Sequence, residues 1–105
     1  MIRSEIYGQS NSDIVRQLGR RFRQYRIAMQ MKQSEVAQKA GLSIFTLSQF
    51  ENGRSSNITM ANLAALLRII GLLENVDQLL PELPVSPYEL ERIQKKERKR
   101  VRNEK

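Results

Sequence analysis

Cysteine and histidine are both absent from the 105 residues. Without cysteine there is no disulfide framework and no thiolate metal site. Without histidine the chain lacks the commonest general base and metal ligand. The five glycines (Gly8, Gly19, Gly41, Gly53 and Gly71) are scattered and form no phosphate-cradling loop, and Asp and Glu occur without metal-ligand spacing. These absences lead to the expectation of a protein that is not an enzyme and needs no cofactor or metal. No apolar run approaches the roughly 18 residues that a membrane-spanning helix needs. The polar stretch from Met1 to Ser10 lacks the apolar core of a signal peptide. A cytoplasmic protein without a membrane partner is the expectation, and a chain of this length holds one compact domain with some tail.

What is abundant is positive charge. Lys and Arg number 18 against 11 Asp and Glu, for a net charge of +7. The charge is unevenly spread. Between Glu91 and Lys105 lie Arg92, Lys95, Lys96, Arg98, Lys99, Arg100, Arg102 and Lys105, against three acidic residues. A basic chain with a concentrated basic segment points to a polyanionic partner, nucleic acid above an acidic protein or a membrane surface.

Proline is scarce and confined. All three prolines fall between Pro81 and Pro87, and no alternating apolar pattern of the strand type stands out, so the chain reads as all-α. Ser12 is the expected N-cap of a first helix to about Met29, with Leu18, Phe22 and Tyr25 at helical spacing. Between them lie Arg16, Arg20, Arg21, Arg23 and Arg26, which read mostly as a solvated face. A second helix fits Gln33 to Ala40 and stops at Gly41. Ser43 caps a third from Ile44 to Glu51, ended by Asn52-Gly53. Thr59 caps a fourth to Ile70, with Met60, Leu63, Leu67 and Ile70 on one face, and Leu72 to Leu80 fits a short leucine-rich fifth. Ser86 before Pro87 is a helix-start signal for a basic segment, Tyr88 to Arg102. The expected organisation is an N-terminal arm (1–11), a helical domain (12–80), and a proline-containing linker with a basic helix or tail (81–105). That tail is expected to be mobile or to project into solvent, adding phosphate contacts or docking on an acidic partner.

The densest signal runs from Gln33 to Arg54. Two short helices joined at Gly41 can cross at the steep angle of a helix-turn-helix, with Ala37 small at the crossing and Val36, Leu42, Leu47 and Phe50 locking the pair. Ile44, Phe45, Ser48 and Gln49 would then face outward, free to enter a major groove.

This stretch, with Gln33-Ser34-Glu35-Val36-Ala37, Ala40-Gly41-Leu42-Ser43 and Thr46-Leu47-Ser48-Gln49-Phe50-Glu51-Asn52-Gly53, resembles the Xre/Cro family of helix-turn-helix repressors. The likeness extends from about residue 18 to 72. It implies a lambda repressor-like five-helix domain that binds double-stranded DNA as a homodimer. By the same resemblance Gln33 would contact a phosphate. Ser43 would cap the recognition helix and, with Thr46, approach the backbone. Ile44, Phe45, Ser48 and Gln49 would face the bases, Arg54 would hold a phosphate, and Arg26 with Glu51 would form a structural salt bridge. Ile44 and Phe45 depart from the family, which often places Gln, Arg or Ser there. They could pack on thymine methyl groups, or one could turn toward the core or a protein surface.

Further on, Gly71-Leu72-Leu73-Glu74, Leu79-Leu80-Pro81, Ser86-Pro87-Tyr88-Glu89-Leu90 and the basic run after Lys96 are similar to HipB-like antitoxins, which implies a toxin kinase of the HipA type as partner. Leu72, Leu73, Val76, Leu79 and Leu80 are the candidate dimer residues. The competing function is a helix-turn-helix scaffold that binds a protein or RNA instead of specific DNA.

Overall fold

In the computed structural model the backbone is described for residues 3–83 and 87–103, and side chains for 5–83 and 87–96. The chain is all-α, with no strand among the described residues. The helices are α1 (Arg3–Tyr7), α2 (Asn11–Ala28), α3 (Gln33–Ala40), α4 (Ile44–Glu51), α5 (Met60–Ile69), α6 (Val76–Leu79) and α7 (Pro87–Asn103), with a 3-10 turn at Leu73–Asn75 ahead of α6. Contacts divide it into two compact units, 1–74 and 75–105.

Local chemistry explains most boundaries in the first unit. Ser43 and Thr59 cap α4 and α5 as expected, each side-chain oxygen accepting from the backbone N–H three residues on at 3.0 Å. The cap of α2 is Ser10 and not Ser12. Ser10 Oγ accepts from Asp13 N at 3.0 Å, while Ser12 already lies in the first helical turn. The segment expected as an arm contains α1, and Gln9 in the link after it accepts from the Gln17 amide of α2 at 3.1 Å.

The stops of α2, α3, α4 and α5 share one geometry. After α3, Gly41 takes a left-handed φ of 75°, Leu42 N donates to Ala37 O at 2.9 Å, and Gly41 N donates to Gln38 O at 3.3 Å. This double closure satisfies two terminal carbonyls and turns the chain sharply. The same closure recurs at Gln30, Gly53 and Gly71. Gln30 does it with a side chain at φ 57°, where glycine would be less strained.

The core is Phe22, Val36, Ala37, Leu47, Phe50, Leu66 and Ile70, ringed by half-buried Val15, Leu18, Leu42, Leu63 and Leu67 among others. Thus α2 packs on α4, and α3 packs on both α4 and α5. Two expected core positions move out. Tyr25 and Met60 are exposed, the latter in the first turn of α5, and Leu66 is the fully buried residue of that helix. Leu72 packs against this core. In the second unit, α6 is a single turn, so the leucine-rich segment is a 3-10 turn and a short helix. The α7 helix begins at Pro87 as the start signal predicts. Its expected cap Ser86 and the side chains of Arg98, Lys99, Arg100, Val101, Arg102 and Lys105 lie outside the described residues.

One glycine sits in the middle of a helix, where it costs about 1 kcal/mol relative to alanine. Gly19 of α2 is buried against the last turn of α4. A Cβ there would fall 1.8 Å from the Phe50 carbonyl oxygen and 2.8 Å from its carbon. No side-chain rotation relieves a clash with backbone. Gly19→Ala is therefore expected to lower stability by about 1–3 kcal/mol, despite the better helix propensity of alanine. A urea titration reads this as a lower midpoint at unchanged slope.

Candidate nucleic-acid interface

The second helix of the motif, α4, is held at both ends. At its start, Ser43 Oγ accepts from Thr46 N and donates to Thr46 Oγ1 at 2.9 Å, which leaves the Thr46 hydroxyl hydrogen available to an outside acceptor. At its end, the Gln49 carbonyl accepts from Arg54 N at 3.0 Å and from Ser55 N at 3.3 Å. The base of the loop that carries Arg54 is thus bonded directly to the helix.

Between these ends the helix divides into two sides. Leu47, Phe50 and Glu51 face in and are buried. Ile44 and Phe45 face out, 52% and 71% exposed, so neither turns into the core. Ser48 and Gln49 follow one turn later and are half-buried. The Asn52 amide donates to Ser48 Oγ at 3.2 Å, orienting that hydroxyl. Phe45, Thr46 and Gln49 share an open depression with Arg54 and with Arg16 of α2. Arg16 is the residue that sequence reasoning passed over. Five arginines on one helix look alike in sequence, and only the packing of α2 across α4 sorts them. Arg20 also turns this way, its guanidinium lying over Gly53 at the end of α4. Positive charge there complements the carbonyl end of the helix.

Arg26 and Glu51 form the expected pair, and it is buried. Arg26 Nε donates to Glu51 Oε2 at 2.7 Å and Nη2 to Oε1 at 2.9 Å, while Nη1 donates to the Met31 carbonyl at 2.7 Å. The Glu51 side chain is fully buried and that of Arg26 is 11% exposed. Gln33, expected at a phosphate, donates its amide to Glu51 Oε1 at 3.0 Å. The carboxylate thus accepts three hydrogen bonds from side chains of two other helices. The amide nitrogen of Gln33 carries a second hydrogen. The N-cap of α3, Lys32, makes no side-chain cap, so the first backbone N–H groups of that helix have no side-chain acceptor from it.

Two short helices joined by a tight turn and packed on each other, the second offering an ordered outer face, are the geometry of a helix-turn-helix. A family profile described as "Helix-turn-helix domain" matches residues 17–79. The chain belongs to the helix-turn-helix domain family. No curated protein matches it. The helix-turn-helix proper spans α3 and α4, and of the expected contact residues Phe45, Thr46, Gln49 and Arg54 line one depression, while Ser43, Ile44 and Ser48 lie outside its lining. Gln33 is drawn inward to the ion pair. Among the described residues no helix is long and apolar enough to cross a membrane.

The ion pair can be tested apart from any ligand. Arg26→Ala leaves a buried carboxylate with one side-chain donor and is expected to cost about 3–5 kcal/mol, a large share of the roughly 5–15 kcal/mol that holds a domain folded. Gln33→Ala removes one hydrogen bond to a charged group and should cost about 1.5–3 kcal/mol. The double change Arg26→Leu with Glu51→Leu should recover most of the first loss, because it leaves no orphaned charge. Urea midpoints of the three variants give the ranking, and a double variant no better than Arg26→Ala would contradict it.

Proposed function

We propose that this helix-turn-helix protein is a sequence-specific DNA-binding regulator, and that it acts as a dimeric transcriptional repressor of the Xre/Cro type. The observation that carries the reading is the outer face of α4. Its exposed N-terminal residues stand beside two arginines from separate segments, Arg16 and Arg54, in one depression. In a helix-turn-helix the N-terminal part of the second helix meets base edges while flanking cations meet phosphates. Thr46 and the N-terminus of α3, with the second amide hydrogen of Gln33, supply neutral donors for the same backbone.

A dimer follows from the shortness of one half-site and from the second unit. Leu79, Leu80 and Leu83 are exposed, Leu80 at 87%. Leu72 is already used in the core of the first unit, so we assign the dimer contact to the leucines after residue 78. The basic α7 segment is proposed to hold a second, acidic partner. A toxin kinase of the HipA type is the partner that the C-terminal resemblance implies, which would make the chain an antitoxin. Exposed Tyr88 and the i,i+3 and i,i+4 pairs Arg92–Glu89 and Lys95–Glu91 give that helix a mixed apolar and charged surface.

Titration of the chain's own promoter and of unrelated DNA at several salt concentrations tests the DNA reading. Binding to both should weaken with salt, and the promoter should bind more tightly throughout. Arg16→Ala and Arg54→Ala should each weaken both DNAs alike and flatten the salt slope by about 1. Gln49→Ala should relax discrimination by about 1–3 kcal/mol at one base pair. Equal affinity for both DNAs at every salt would remove specific readout and favour the protein- or RNA-binding scaffold.

Sedimentation of wild type and Leu80→Asp tests the dimer. The wild type is expected to be dimeric and the variant monomeric, and a wild type that stays monomeric with operator DNA present overturns the assignment. Truncation before Glu91 should leave promoter binding intact and abolish co-purification with a neighbouring kinase. Loss of affinity for all DNA would place the tail on phosphate instead.

A further inference from the structure

The outer face of α4 is unusual in what it cannot do. Of the helix's eight residues only Glu51 ionises, and that side chain is fully buried in its pair with Arg26. Reading guanine from a helix in the major groove relies on the paired donors of Arg or Lys against O6 and N7, and α4 offers neither. Reading the cytosine amino group relies on a carboxylate, and the one carboxylate points the other way. Apart from the Thr46 and Ser48 hydroxyls, which suit either kind of base pair, two chemistries remain on this face. Gln49 can pair its amide with adenine N6 and N7. Phe45 and Ile44 present apolar surface at the end of the helix that goes deepest.

That apolar surface has one natural complement in the groove. Each base pair shows hydrogen-bonding edges there, and only thymine adds an apolar group, its 5-methyl. Phe45 lies one turn before Gln49, and both line the depression that Arg16 and Arg54 border. The aromatic ring therefore shares one depression with the cations that would grip the phosphates. An apolar residue so placed is covered only if the groove brings apolar surface to it. Ile44 begins the adjacent row, followed by Ser48, whose hydroxyl is oriented by Asn52.

We infer that the chain recognises A·T base pairs by their thymine 5-methyl groups, with Phe45 and Ile44 as the methyl-sensing residues and Gln49 reading a neighbouring adenine. This rests on the DNA-binding function proposed above and assigns the class of operator that the same face takes. The consequence is a recognition that depends on a single methyl group per thymine. Deoxyuridine pairs like thymidine but lacks that methyl. Removing one buried methyl from the interface lowers affinity about fourfold.

The experiment uses the full chain and a randomised duplex library. Duplexes selected by the wild type are resynthesised with deoxyuridine replacing thymidine at one position at a time. The expected result is a selected half-site rich in A·T pairs, with about a fourfold loss of affinity at one or two thymines. Phe45→Ala, a change at an exposed position that leaves the core untouched, should bind the thymidine and deoxyuridine forms equally at its thymine, and Ile44→Ala should do so at the other. Thermal melts of both variants should match the wild type. A selected duplex indifferent to deoxyuridine at every position, or a selected core read through G·C pairs, overturns the methyl inference and leaves specific DNA binding standing. A methyl effect that survives in both variants overturns the assignment of these residues. Failure of the library to yield any preferred duplex overturns DNA readout itself, and with it this inference.

Discussion

A single buried ion pair holds the two helices that matter in register. Glu51 closes α4, Arg26 lies near the end of α2, Met31 lies in the turn that follows, and Gln33 opens α3. One carboxylate therefore fixes the end of α4, the scaffold helix beneath it and the start of the helix that crosses it. Withdrawn from water, the charge is tolerable only because three side-chain N–H groups meet it and because the cation's Nη1 donates in turn to the Met31 carbonyl. Among the described residues no buried side-chain nitrogen or oxygen is left without a partner. Such a network is intolerant of partial satisfaction, so it favours one arrangement of α2, α3 and α4 over near alternatives.

Around that anchor the structure separates tasks by residue type. Inward, α4 contributes Leu47 and Phe50, with the Phe50 ring 6.4 Å from that of Phe22. Outward, it keeps uncharged residues, and the positive charge comes from α2 and from the loop after Gly53. Supplying charge and shape from different segments lets the outer face of α4 be neutral in a chain of net charge +7. The loop is held to the helix by the Gln49 carbonyl, which ties the base of Arg54 to α4.

Much of this was legible before folding because the signals are local. Serine and threonine caps and glycine stops need only their neighbours, and α3, α4 and α5 lie where those signals place them. The pairing of Arg26 with Glu51 was implied by resemblance, but its depth and its third member, Gln33, were not. An amide at a helix start looks equally suited to a phosphate outside and to a carboxylate inside. Ser10 and Ser12 are both able to cap, and the choice depends on where the backbone leaves the extended region. The inward phase of α5 slipped from Met60 to Leu66 because a first turn can project past its neighbours. The roles of Arg16 and Gly19 depend on where two helices cross, which no window along the chain contains.

The approach of Gly19 to the Phe50 carbonyl fixes more than stability. Most helix pairs are spaced by side chains, and their separation drifts as those side chains are exchanged over generations. Here backbone meets backbone, and nothing at the contact has an adjustable length. The core residues nearby could be traded for others of similar volume without changing how far apart α2 and α4 lie. Arg16 rides on one of these helices and Phe45 on the other, so the offset between that cation and the outer face of α4 is set by that contact like the jaws of a gauge. A lineage of this protein could vary the outer residues of α4 while the spacing between the two helices stays constant.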